Sequence, residues 1–156
     1  MPQVLTLYRQ LSRLPHGNTI FSRLFTFKAP YFATVRPRFL ALEPSYAELM
    51  IRKRRRVQNH IGTVHVIAIC NGLEAAMGAL AEASIPQHKR WIPKGMEVSY
   101  TAKATSDITC IAETDPGAWI GDGPDVPVRV RAVRDDGTVV VEGMIRLWVT
   151  EKPARA

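Results

Sequence analysis

The sequence predicts an α+β domain in which a curved antiparallel sheet wraps around one long central helix, with a helical segment in front. Three observations predict it. A stretch from about Val64 to Ala83 is apolar almost all round, as a helix enclosed by other structure must be. After Pro86 the pattern changes to runs rich in Val, Ile, Thr and Trp, the composition of strands. Between these runs stand turn residues, above all Asp135-Asp136-Gly137, where Gly supplies the positive φ of a tight hairpin.

Taken in order, one or two short helices precede Lys28–Thr34. Ile20, Phe21, Leu24, Phe25, Tyr31 and Phe32 recur there at helical spacing and read as a packing stripe. Residues 1–42 carry Arg9, Arg13, Arg23, Lys28, Arg36 and Arg38 with no acid, a balance that an organelle transit peptide also shows; the stripe favours packing. Strands follow near Arg38–Leu42 and Tyr46–Val57, the second carrying the basic run Arg52–Arg56 out of the core. A turn at Asn59–Thr63 leads into the helix. Further strands are expected at Trp91–Pro93, Glu97–Thr105, Ile108–Thr114, Pro127–Arg134 and Thr138–Thr150, with Trp119 at the tip of the loop 115–125. The domain plan is a helical segment over 1–36 packing on a domain over 37–152, and a disordered tail at 153–156.

The chain's 156 residues, 46% apolar and 22% charged, suit one soluble domain. Cys70 and Cys110 lie in apolar stretches and read as buried thiols, which suits a reducing, cytoplasmic setting. His16, His60, His65 and His88 show no metal-ligand spacing, so no metal is implied. The net charge of +7 is compatible with nucleic acid, an anionic membrane surface or a phosphate-rich small molecule, and by itself does not choose among them. Aromatic RNA-binding signatures and a helix-turn-helix pattern are missing, which argues against nucleic acid. Asn71, Glu74 and Glu82 interrupt the apolar helix, which argues against a membrane span.

At the helix entrance the residues Asn59-His60-Ile61-Gly62-Thr63-Val64-His65, followed by Glu74, resemble the signature of the phenylacetate-type hotdog thioesterases: an Asn, a Gly three positions on, a His three further and an acid nine beyond. In element order the resemblance runs from about Arg38 to Thr150, in a branch with an extra N-terminal segment. It implies a hotdog fold and hydrolysis of an acyl coenzyme A to free acid and coenzyme A. No cofactor is implied beyond the coenzyme A of the substrate itself.

The resemblance also assigns roles. Glu74 becomes general base or nucleophile, Asn59 orients water or the thioester carbonyl, the backbone N–H of Val66 meets the oxyanion, and His65 fixes the turn. Gly62, Thr63, Lys103 and Arg90 are candidates for binding substrate. Lys89, Arg129 and Arg131 are further cations for the phosphates. The family's active site lies between subunits, which implies a homodimer or homotetramer. Where the family carries small glycines after the His, this chain has Val66 and Ile67, and its acid is Glu rather than the more frequent Asp. The alternatives are a non-catalytic hotdog domain that holds an acyl-CoA or fatty acyl ligand, and a hotdog hydratase or dehydratase.

Overall fold

The structure is a computed structural model that describes residues 2–121 and 123–153. Its elements are helices α1 (Gln3–Leu11) and α2 (Gly17–Lys28), strands β1 (Arg38–Glu43) and β2 (Tyr46–Ile51), helix α3 (Val66–Ser84), and strands β3 (Lys89–Tyr100), β4 (Ile108–Glu113), β5 (Asp125–Arg134) and β6 (Val139–Glu151). The six strands form one sheet in the order β1-β2-β4-β5-β6-β3, and every pairing is antiparallel. With α3 as its central helix and helices in front, this is the hotdog fold.

The sheet holds α3 through the period-two alternation of strands. On β5, Val126, Val128, Val130 and Ala132 are buried while the residues between them are largely exposed. These side chains join Leu49, Ile51, Cys110 and Ile145 against Leu73, Ala76, Met77 and Leu80 of α3. Burying each large aliphatic side chain contributes about 1.5–3 kcal/mol, so this layer dominates folding. By length and hydropathy α3 could cross a bilayer, but 67% of its apolar window is buried inside the protein, the condition of a core helix. It stops where Ile85 turns extended before Pro86, as a residue preceding proline prefers.

The N-terminal helices cover the β1 edge. Phe21 and Phe25 of α2 meet Phe39 of β1 edge-on, with ring centroids 5.1 and 5.0 Å apart, and Tyr8 of α1 donates from its hydroxyl to Leu40 O at 3.0 Å. Ser22 Oγ accepts the Phe39 N–H at 2.9 Å, satisfying a donor that an edge strand would leave open. Of the expected packing stripe, Phe21, Phe25 and Phe32 pack inward, whereas Ile20, Leu24 and Tyr31 face out because α2 turns its Phe21–Phe25 face to the sheet.

Several boundaries differ from the sequence expectation, for physical reasons. The strand expected to reach Val57 ends at Ile51, because the Lys53 N–H leaves the ladder for the Asp107 carboxylate at 2.8 Å. The strands expected at Trp91–Pro93 and Glu97–Thr105 are one strand, β3, which ends at Tyr100 rather than Thr105 and has a bulge between Pro93 and Gly95, where proline has no N–H to pair. Trp119 is not at a loop tip: it is 3% exposed, folded back by a 3₁₀ turn at Pro116–Trp119, and its indole donates to Thr114 Oγ1 at 3.0 Å. Cys110 is buried, whereas Cys70 is only half-buried. Of the tail expected at 153–156, residues 154–156 lie outside the described residues.

At Gly143, in the middle of β6, an added Cβ would fall 2.1 Å from Glu97 O and 2.7 Å from Val98 Cα on β3. A Gly143→Ala substitution is expected to force β3 and β6 apart and lower stability by about 1–3 kcal/mol in urea denaturation. An unchanged midpoint would show that the strands do not approach so closely.

Candidate active site

The loop before α3 is closed by Asn59. Its Oδ1 accepts from the N–H groups of Ile61 (3.2 Å) and Thr63 (3.1 Å), and its Nδ2 donates to Thr63 Oγ1 at 2.8 Å. Its backbone adds a bond to Thr63 O and one from the Gly62 N–H, and Gly62 sits at φ +79°, a conformation glycine adopts without penalty. The sequence reading gave Asn59 the task of orienting water or a carbonyl. Here its amide is engaged within its own loop, with Thr63 as its main partner.

His65 is the N-cap of α3. Its Nδ1 accepts the Ile67 N–H at 3.1 Å, which places the proton of the neutral ring on Nε2, and its carbonyl accepts the N–H groups of Ala68 (2.9 Å) and Ile69 (3.2 Å). One residue thereby satisfies three of the first four amides of the helix. The fourth, the Val66 N–H, has no acceptor among the described residues. It is an open donor at the positive end of the helix dipole, where a developing oxyanion is stabilised. The entrance is rimmed by apolar side chains: Ile61 is 58% and Ile67 57% exposed.

The Val64 N–H donates to Ala104 O at 2.9 Å, which brings the segment 100–105 beside the entrance and carries Lys103, exposed, with it. Glu74 lies on α3 eight residues beyond Val66, roughly 12 Å along the axis given the helical rise. Its carboxylate is half-buried rather than enclosed, and it has neither a hydrogen bond nor an ion pair among the described residues. The surrounding apolar run suggested a buried acid, but α3 leaves one face, through Ile67, Cys70 and Glu74, uncovered by its own sheet. Cys70 lies one turn before Glu74, and burial raises its thiol above the ordinary value.

The other cations are placed less favourably. Arg90 follows the far end of α3 and donates from Nε to Thr150 Oγ1 at 3.3 Å, and Lys89 reaches Gly121 O. Arg129 and Arg131 are paired to Glu113 and Asp115 across the sheet. The structure therefore gathers Asn59, Gly62, Thr63, His65, Val66 and Lys103 at the entrance, sets Glu74 two turns away, and leaves Arg90 at the opposite end of the helix.

Asn71 was not among the site residues named from sequence. It is 8% exposed, donates from Nδ2 to Thr34 Oγ1 at 3.0 Å, and its Oδ1 has no partner among the described residues. The signal was visible as an amide within an apolar helix, though nothing in the sequence said that residues 31–34 would cover it. Among the described residues no three His, Cys, Asp or Glu side chains gather as a metal site.

The family described as Domain of unknown function (DUF4442) matches residues 17–149. A solved structural-genomics protein, described without organism or activity, is 39% identical, with a TM-score of 0.82 over 96% of this chain and 99% of that one. A Pseudomonas aeruginosa protein described as of unknown function and a probable thioesterase is 22% identical, with a TM-score of 0.76 over 89% of this chain and 97% of its own. A thioesterase family protein from Silicibacter pomeroyi is 18% identical, with a TM-score of 0.68 over 88% of this chain and 100% of its own. The last two likenesses establish the shared fold. No curated protein matches the chain.

The two helix-entrance residues and the acid make contrasting contributions to stability. Asn59→Ala and His65→Ala each remove capping or turn bonds and are expected to cost about 0.5–2 kcal/mol in thermal or chemical denaturation. Glu74→Ala removes a half-exposed, unpaired group and is expected to change stability by no more than about 0.5 kcal/mol. A large loss for Glu74→Ala would mean that the carboxylate is a structural anchor.

Proposed function

The chain belongs to the family described as Domain of unknown function (DUF4442), and from that premise we propose that it hydrolyses an acyl coenzyme A thioester in a site shared by two copies of the chain. The observation that carries the reading is the open Val66 N–H, left free while His65 occupies its neighbours. The thioesterase descriptions of two proteins with the same fold agree with it.

In this reading a water molecule gives a proton to the Glu74 carboxylate as its oxygen attacks the thioester carbon. The carbonyl oxygen gains the negative charge and accepts the Val66 N–H. Collapse of the tetrahedral intermediate breaks the carbon–sulfur bond, and the coenzyme A thiolate takes the proton from Glu74. The free acid and the thiol leave, and the chain is unchanged. Asn59 and Thr63 hold the loop that aims the helix end, and Ile61 and Ile67 shed water from the carbonyl. Electrostatic stabilisation of this type is worth most in such a desolvated setting.

Two copies are needed because Glu74 and Val66 of one chain lie roughly 12 Å apart along one helix, too far to flank a single carbonyl. A partner's Glu74 facing the entrance closes the gap. The sheet offers the means: β1 is covered by α2, whereas the outer edge of the long strand β3 accepts no bond from any other described segment. Such an edge can pair with a second strand on either side of the Pro93–Gly95 bulge, which interrupts it. Sedimentation velocity is expected to give a dimer or a dimer of dimers, and a monomer at assay concentration would contradict a shared site.

Free-thiol release from short, medium, long and aromatic acyl-CoAs tests the chemistry. Wild type is expected to turn over at least one of them, and Glu74→Ala to lower kcat by about a hundredfold or more, the usual weight of a general base. Full turnover by Glu74→Ala would remove the acid from the mechanism, and no turnover with any thioester would leave a domain that binds without hydrolysing.

A further inference from the structure

Between α2 and the ends of β1 and β2 lies a cleft of about 900 Å³ lined by Arg23, Arg36, Arg38, Arg52, Lys53 and Arg54, and no acid lines it. None of these six forms an ion pair among the described residues. Asp107, the acid that reaches this segment, accepts the Lys53 backbone N–H, while the Lys53 ammonium donates to Thr105 O. Arg54 is the most constrained. Its Nη2 donates to Thr34 O at 2.9 Å, but its Nη1 is buried with no partner among the described residues. Burial first, then the Arg36 and Arg56 charges, push its guanidinium below its ordinary value.

A concave cluster of like charges with an orphaned buried donor is unfavourable while empty, since repulsion and desolvation both act against it. A bound anion reverses both terms. We propose that this cleft binds the phosphates of a nucleotide 3′,5′-bisphosphate, as carried at the end of coenzyme A. The identity of the anion rests on the thioesterase reading; the existence of an anion site does not. Guanidinium groups suit phosphate because they offer paired donors in a plane.

The cleft is tied to α3 and to the segment that precedes it. Thr34, whose carbonyl holds Arg54, also accepts from Asn71 of α3 through its hydroxyl. Arg54 precedes by three residues Val57, whose carbonyl accepts the His65 N–H at 2.7 Å. Three residues extend at most about 11 Å, so the cleft and the segment that holds His65 are near neighbours along the chain.

Titration of the full chain with adenosine 3′,5′-bisphosphate, with adenosine and inorganic phosphate as comparisons, tests the site in wild type and in Arg38→Ala/Arg52→Ala. Both arginines are exposed, so the fold should be retained, which circular dichroism checks. The bisphosphate is expected to bind wild type more tightly than either comparison, and the double variant to bind it about ten- to a hundredfold more weakly. KM for an acyl-CoA should rise at least about tenfold more than KM for the matching N-acetylcysteamine thioester, which lacks the phosphates. Equal bisphosphate affinity in wild type and variant, or inorganic phosphate binding as tightly as the bisphosphate, would overturn the assignment. Failure to hydrolyse either thioester would overturn the hydrolase reading alone, because the titration still decides the cleft.

Discussion

At Gly72 helix α3 comes so close to the sheet that an added methyl would fall 2.4 Å from Ile51 Cδ1 and 2.9 Å from Cys110 Sγ, and the other elements are arranged around that approach. A residue without a side chain at this point lets β2 and β4 pack directly on the helix, while Leu73, Met77 and Leu80 fill the space on either side. Close packing of this kind leaves little room for adjustment. It fixes the rotation of α3 about its axis, and with it which residues face the sheet and which face, through Ile67, Cys70 and Glu74, is left over.

The polar groups follow from that rotation. His65 caps the helix with both its ring and its carbonyl, so the helix end is rigid, yet one donor stays open. Asn71 and Glu74 are carried on a helix that is otherwise apolar, each with acceptor capacity that the described residues do not use. Unsatisfied groups cost stability, and their concentration along one side of one helix is the arrangement expected where a ligand or a second copy completes the structure. The basic cleft follows the same logic with opposite charge.

Much of the fold was legible because its signals are local. The Val-rich run from Pro127 to Arg134 announced β5, and the Asp-Gly turn gave its hairpin with β6, where Gly137 takes φ +81°. The apolar run gave α3 to within two residues at each end. What the sequence concealed depended on distant partners. The basic run was read as a strand because the Lys53–Asp107 bond that ends β2 joins residues far apart in the chain. The aromatic stripe was half right, since spacing gives a periodicity but not which side of α2 meets Phe39. Of the site, the residue types at the helix entrance were visible, but the engagement of Asn59 with Thr63, the open amide of Val66 and the three-segment cleft around Arg54 emerge only when the chain is folded.

In the proposed mechanism a thioester carbonyl meets the helix end of one copy and the acid of another. A crystal structure with a non-hydrolysable acyl-CoA, in which a methylene replaces the thioester sulfur, tests it most directly. The carbonyl oxygen is expected about 2.7–3.1 Å from Val66 N, with the carboxylate of Glu74 from a second copy on the other side of the carbonyl carbon. An analogue bound with the Val66 N–H still open, or with both copies of Glu74 remote from the carbonyl, would contradict it.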